Sequence, residues 1–265
     1  MTRPEPFVRE AGSGAAVVCF HANASSSGQW RGLMDLLAPT HRVLAPDSYG
    51  SGKSPDWPSA RSISLADEVA FVEPVLARAQ APFSLVGHSY GAAVALKAAL
   101  AWPDRVRALL LYEPTLFAVI DASTPAPNLA DGIRDAVVAA GTALDAGDRD
   151  TAAQAFIDYW MGDGAWAETP EQRRQAIADS VVNVRRWAHA LFTEPTPLHA
   201  FRQLDIPVLY MLGKRSTAAA RGVAQVLLQA LPRVRTVTFE DLGHMGPVTH
   251  PELVNAEIKR FLEQV

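Results

Sequence analysis

Residues 83–93 constrain this chain more than any other stretch. Phe83-Ser84-Leu85-Val86 is an apolar run of strand character, and it enters Gly87-His88-Ser89-Tyr90-Gly91 and then Ala92-Ala93 without a spacer. A chain that turns so sharply from strand to helix crowds its own backbone, and glycine at positions 87 and 91 relieves contacts with neighbouring elements. Ser89 is then presented at the N-terminus of the following helix, where backbone N–H groups and the helix dipole favour developing negative charge. Ser89 is therefore the candidate nucleophile, set against the plainer reading of a glycine–serine turn without chemistry.

A serine hydroxyl needs a base within hydrogen-bond reach. Among the seven histidines, His244 follows the last strand-like run in Phe239-Glu240-Asp241-Leu242-Gly243-His244. In a parallel sheet the C-terminal strand ends share one edge, so a loop after a late strand can meet Ser89 there. His250, beside Pro251, reads as a cap or surface residue, and His41, His189 and His199 read as structural. An oxyanion needs two donors. The Tyr90 N–H is one by position, and the second should come from the loop after the first core strand, His21-Ala22-Asn23-Ala24-Ser25-Ser26-Ser27. His21 itself reads as a residue that orders this loop.

The rest of the chain alternates short apolar runs with helical patterns. Residues 16–20, 42–45, 83–86, 108–112, 208–212 and 236–239 predict strands, mostly without polar alternation, as expected where both sheet faces are covered. Helical patterns fall near 29–37, 65–79, 92–101 and 221–231. Over 251–262, Val254, Ile258, Phe261 and Leu262 form one apolar stripe. This predicts an α/β fold with an open, mostly parallel, doubly wound sheet. Between about 116 and 204 no strand is apparent; helices are expected over 131–144, 150–160 and, with a break, 171–192. The predicted organisation is a core of 1–115 and 205–265 carrying a helical insertion of 116–204.

Composition narrows the partners. With 24 Lys plus Arg against 28 Asp plus Glu, the net charge of -4 offers no basic surplus for nucleic acid. The single cysteine, Cys19, excludes an intrachain disulfide and a cysteine-built metal site; it reads as a buried apolar residue. No apolar segment follows Met1-Thr2-Arg3-Pro4-Glu5-Pro6, and no run approaches the ~18 apolar residues of a membrane span, so a cytoplasmic protein is expected. Gly50-Ser51-Gly52-Lys53-Ser54 looks like a phosphate loop, but Pro55 and Pro58 forbid the helix that should follow.

Taken together, these residues resemble the α/β-hydrolase superfamily over almost the whole chain. His21-Ala22-Asn23 resembles its oxyanion loop, 47–54 its Asp-x-x-Gly-x-Gly-x-Ser turn, 87–91 its nucleophile elbow and Gly243-His244 its histidine loop. The resemblance implies oxyanion donors at the Asn23 and Tyr90 amides and a lid made by the insertion. Three departures stand out. Ala22 replaces the usual glycine. About fourteen residues precede the first core strand, leaving room for at most a short edge strand near 7–10. Ser216 occupies the position where the family carries its acid in Gly-x-x-Asp, and it cannot hold a charge against an imidazolium; replacing it is expected to matter little. Glu113 follows the buried run Ala108-Leu109-Leu110-Leu111-Tyr112, a location some members of the family use for the acid, and is the candidate here; Asp241 and an acid-free Ser–His pair are the alternatives.

The expected activity is hydrolysis of an ester or related acyl bond in a small, largely apolar molecule, through Ser89, His244 and Glu113, with no cofactor and no metal. Serine at position 89 argues against the carboxylate-nucleophile chemistry of haloalkane dehalogenases and epoxide hydrolases. Carbon–carbon or lactone hydrolysis and cofactor-free perhydrolysis remain open on the same scaffold, as does a non-catalytic binding protein. The aromatic residues of the insertion, Trp160, Trp166, Trp187 and Phe192, either line a substrate pocket or, at least as readily, pack within the insertion, and are left out of the candidate site. Oligomeric state is not legible.

Overall fold

The computed structural model describes residues 4–265; Met1, Thr2 and Arg3, part of the segment read for a leader, lie outside the described residues. The strands are β1 (Val8–Ala11), β2 (Ala15–Phe20), β3 (His41–Pro46), β4 (Phe83–His88), β5 (Val106–Tyr112), β6 (Val208–Gly213) and β7 (Val234–Phe239). They form one sheet in the order β1-β3-β2-β4-β5-β6-β7, parallel except for β1, which runs antiparallel to β3. The short edge strand expected near 7–10 is thus present, displaced by one residue.

Helices α1 (Arg31–Leu37), α2 (Leu65–Ala79) and α3 (Tyr90–Ala101) alternate with the first strands. Between β5 and β6 the described chain is helical: α4 (Ala118–Ser123), α5 (Asp131–Asp145), α6 (Arg149–Met161), α7 (Ala165–Glu168), α8 (Glu171–Val181), α9 (Val184–Phe192) and α10 (Leu198–Arg202). Then come α11 (Ala218–Ala230), α12 (Gly246–Thr249) and α13 (Pro251–Leu262). The four short helices α4, α7, α10 and α12 were not expected, because a single turn is too brief to show a 3.6-residue apolar period.

The apolar runs divide between two cores. Val18, Phe20, Leu85, Leu109 and Leu111 face α2, α3 and the insertion, whereas Val17, Cys19, Val86, Ala108 and Leu110 face α1 and α13. Successive strand residues point to opposite faces, so a strand buried on both must be apolar at every position. The outer strand β7 is largely exposed or half-buried, and its sequence VRTVTF alternates accordingly. Helix α2 begins at a capping box in which the Ser64 hydroxyl accepts the Asp67 N–H and Asp67 reaches back to the Ser64 N–H.

Candidate active site

The site is built at the C-terminal edge of β4, β5 and β6. The turn from β4 to α3 passes so close to its surroundings that a Cβ on Gly91 would lie 2.3 Å from the Phe20 carbonyl oxygen, and one on Gly87 would lie 2.5 Å from the Ala92 Cα. Ser89 sits at φ 58°, ψ -119°, a left-handed conformation that costs on the order of 1–3 kcal/mol and persists where the surroundings impose it. The Ser89 N–H donates to the Tyr112 carbonyl at 2.9 Å, which ties the turn to the end of β5. Glu113, the residue directly after that strand, also has positive φ, 44°.

These constraints bring the three candidate residues into one line. His244 Nε2 lies 2.9 Å from Ser89 Oγ, and His244 Nδ1 lies 2.8 Å from Glu113 Oε2. All three are buried, with relative exposures of 5% for Ser89, 2% for His244 and 0% for Glu113. A carboxylate on Nδ1 fixes the tautomer in which that nitrogen carries the proton, leaving Nε2 free to accept one from the serine. Asp241, the alternative acid, pairs with Arg215, and its side chain is 81% exposed.

Ser216, expected to matter little, is bonded directly to the candidate acid. Its hydroxyl donates to Glu113 Oε1 at 2.5 Å, and the Gly213 N–H donates to the same oxygen at 2.6 Å. The two oxygens of Glu113 are thereby divided, one held by the end of β6 and the other by the imidazole. Ser216 holds no charge, yet it orients the group that does.

The loop carrying His244 is fastened by side chains from two strands. The Tyr112 hydroxyl donates to the Gly243 carbonyl at 2.8 Å, and His88 Nε2 donates to the His244 carbonyl at 2.8 Å. His88 Nδ1 accepts from Gln29 Nε2 at 3.1 Å, and Gln29 Oε1 accepts the Ala22 N–H at 3.2 Å. One hydrogen-bonded chain therefore joins the 21–27 loop, the β4–α3 turn and the histidine loop. Burial, reinforced by the neighbouring His244, holds the His88 imidazole well below its ordinary range and keeps it neutral, as this pair of bonds requires.

The 21–27 loop is ordered as expected of His21. Its Nδ1 donates to the Ala22 carbonyl at 2.7 Å, while Nε2 accepts the Ser48 N–H at 3.0 Å. The 47–54 turn wraps the Asp47 carboxylate, which accepts the Ser27 N–H at 2.6 Å and the Lys53 N–H at 2.9 Å. Asn23 and Ser89 border the same cavity. Tyr90 opens α3, where the first amides have no partner within the helix.

That cavity measures about 550 Å³ and is walled by Phe156, Ile157, Trp160 and Met161 of α6 together with His244 and Met245. Trp160, left out of the candidate site on the sequence, lines this cavity. Its ring stacks on the His244 imidazole with centroids 3.9 Å apart and planes 24° from parallel, and it also touches Phe117, Phe156 and Tyr159. No local pattern distinguishes it from the other tryptophans of the insertion.

Known proteins match this arrangement. The family model for the alpha/beta hydrolase fold matches residues 15–251. This chain is an alpha/beta hydrolase. The hydrolase is 31% identical to the lipase LipV of Mycobacterium tuberculosis, over 94% of this chain and 93% of that protein. It is 26% identical to a pimeloyl-[acyl-carrier protein] methyl ester esterase of Nitrosomonas europaea, over 92% and 94% of the two chains. Among solved structures, an alpha/beta hydrolase from Sphaerobacter thermophilus superposes with a TM-score of 0.73 at 25% identity, covering 94% of each chain. The sheet order, the parallel strands and the flanking helices are those of the family's fold, and the protein is a hydrolytic enzyme. Among the described residues no helix is long and apolar enough to cross a membrane.

Proposed function

We propose that this hydrolase cleaves carboxylic esters through an acyl-enzyme. Ser89 Oγ attacks the ester carbonyl as His244 Nε2 accepts its proton, and the carbonyl oxygen becomes an oxyanion held by the Asn23 and Tyr90 amides. His244 then returns the proton to the departing alkoxide, which leaves as an alcohol. Water, deprotonated by the same nitrogen, attacks the acyl carbon; collapse of the second tetrahedral intermediate releases the acid and restores Ser89. Glu113 orients the imidazole throughout. The reading rests above all on the unbroken hydrogen-bond line Ser89–His244–Glu113 inside a cavity large enough for a small substrate.

The insertion of 116–204 serves as the lid in this reading. Its α6 supplies apolar wall to the cavity, which favours a small, largely apolar ester. The esterase and lipase names of the relatives point the same way.

The test is labelling and turnover together. A fluorophosphonate should modify the native enzyme but not Ser89→Ala, and p-nitrophenyl acetate hydrolysis should disappear in the variant. An unlabelled native enzyme that leaves esters intact would sink the proposal.

A further inference from the structure

Among the buried carboxylates, Asp47 takes the Ser27 and Lys53 amides, Glu113 meets His244, and Glu194 pairs with Lys97 at 2.6 Å. Glu68 of α2, 1% exposed, is held instead by two tyrosines. A buried polar group is costly unless its bonds are made, so what these two bonds hold in place is informative.

Each oxygen of Glu68 leads to a different side of the reacting carbonyl. Oε1 accepts from the Tyr90 hydroxyl at 3.2 Å, and the Tyr90 amide is one of the two proposed oxyanion donors. Oε2 accepts the Tyr49 N–H at 3.4 Å. Phe71, three residues further along α2, stacks on the Tyr49 ring with centroids 3.7 Å apart, so one face of the helix holds Tyr49 twice. Tyr49 follows Ser48, whose N–H donates to His21 Nε2 at 3.0 Å. His21 Nδ1 in turn donates to the Ala22 carbonyl at 2.7 Å, immediately before Asn23, the other proposed donor.

Resting on the ester-hydrolase reading above, we propose that Glu68 is a positioning residue for the oxyanion hole. Through Tyr90 it steadies one donor, and through Tyr49, Ser48 and His21 it steadies the loop that carries the other. It acts by hydrogen bonds rather than by charge, because burial lifts its pKa to about 8 and leaves it a neutral acid near pH 7. A glutamine can make both contacts, its carbonyl accepting the Tyr49 N–H and its amide donating to the Tyr90 hydroxyl. A leucine can make neither.

The test combines p-nitrophenyl acetate turnover at pH 7 with the affinity of phenylboronic acid, which adds to Ser89 as a tetrahedral anion and calls on the same donors. Glu68→Leu should lower kcat and kcat/KM alike, by about tenfold, with KM little changed, because oxyanion bonds are realised in the transition state. Losing a donor outright costs on the order of 10²–10³-fold. The boronic acid should bind about tenfold more weakly, and Glu68→Gln should recover most of both losses. Tyr90→Phe drops only the hydroxyl; it should cost several-fold alone and add little to Glu68→Leu, where that bond is already gone. A folded Glu68→Leu enzyme with native kcat and boronate affinity would overturn the inference, as would a loss that glutamine does not recover. If Glu68→Leu does not fold, Tyr90→Phe turning over at the native rate would overturn it. A native enzyme that leaves esters intact, with Ser89 unlabelled by fluorophosphonate, would instead fail the ester-hydrolase reading, and this inference with it.

Discussion

Strands β5 and β6 lie side by side and end at the same edge, yet they contribute opposite things to the site. The end of β5 delivers Glu113, a buried carboxylate on a backbone of positive φ. The end of β6 delivers Ser216 and the Gly213 amide, both donors, and both bind Glu113 Oε1. The family's usual order places the acid after β6; here the donors stand there, and the carboxylate that meets His244 comes from the end of β5, one strand inward. What matters to His244 is a carboxylate oxygen within 2.8 Å of Nδ1, and adjacent strand ends can each reach that point.

The largest break in this comparison is Glu113→Gln. It keeps the shape but removes the charge that fixes the tautomer, and it should lower kcat by on the order of 10³–10⁴-fold, measured with p-nitrophenyl acetate. Transplanting the acid sharpens the point: adding Ser216→Asp to Glu113→Ala should raise kcat at least about tenfold above Glu113→Ala alone, because a carboxylate at the end of β6 is the family's usual solution. No gain would mean that the β6 end can no longer reach the imidazole.

Ser216→Ala comes next. It removes one hydrogen bond to a charged group, worth about 1.5–3 kcal/mol, while the Gly213 amide remains, and a kcat loss of about tenfold is expected. Trp160→Leu should have a smaller effect. The stacked indole faces an imidazole that becomes cationic during attack, an interaction worth roughly 0.5–2 kcal/mol, so kcat should fall several-fold.

Glu68 provides the control for Glu113, a buried glutamate held by the Tyr49 N–H at 3.4 Å and the Tyr90 hydroxyl at 3.2 Å instead of by an imidazole. Burial lifts its pKa to about 8, so it is protonated at pH 7. Between pH 6.5 and 8 the folded protein therefore holds a proton that the unfolded chain, with glutamate near 4.5, has already lost, and stability falls as pH rises. Burial lowers the pKa of His21 and holds that of His88 well below its ordinary range, so their contribution to stability is lost on the acid side instead, as the unfolded chain protonates them first. Thermal unfolding should show stability falling as pH rises from 6.5 to 8, and Glu68→Gln should flatten that decline.

Much of this site was legible along the chain. The elbow announced itself because its signals are contiguous: an apolar strand, two glycines four residues apart and a small-residue helix. Glu113 was legible because a glutamate directly after five apolar residues needs a partner, and His244 because a histidine loop follows the last strand. The bond from Ser216 to Glu113 was not legible because its two residues lie 103 positions apart. The Gln29–His88 bridge was missed for the same reason; each of its residues is unremarkable locally.

The amino-acid sequence by itself determined the sheet, the turn that presents Ser89 and the residues proposed for acyl transfer, because strand periodicity, glycine freedom and side-chain chemistry act over a few neighbouring residues. Only the tertiary structure decided which tryptophan covers His244 and how Glu113 divides its two oxygens. Those are contacts between elements far apart in the chain, and they follow from packing in three dimensions, on which local pattern is silent.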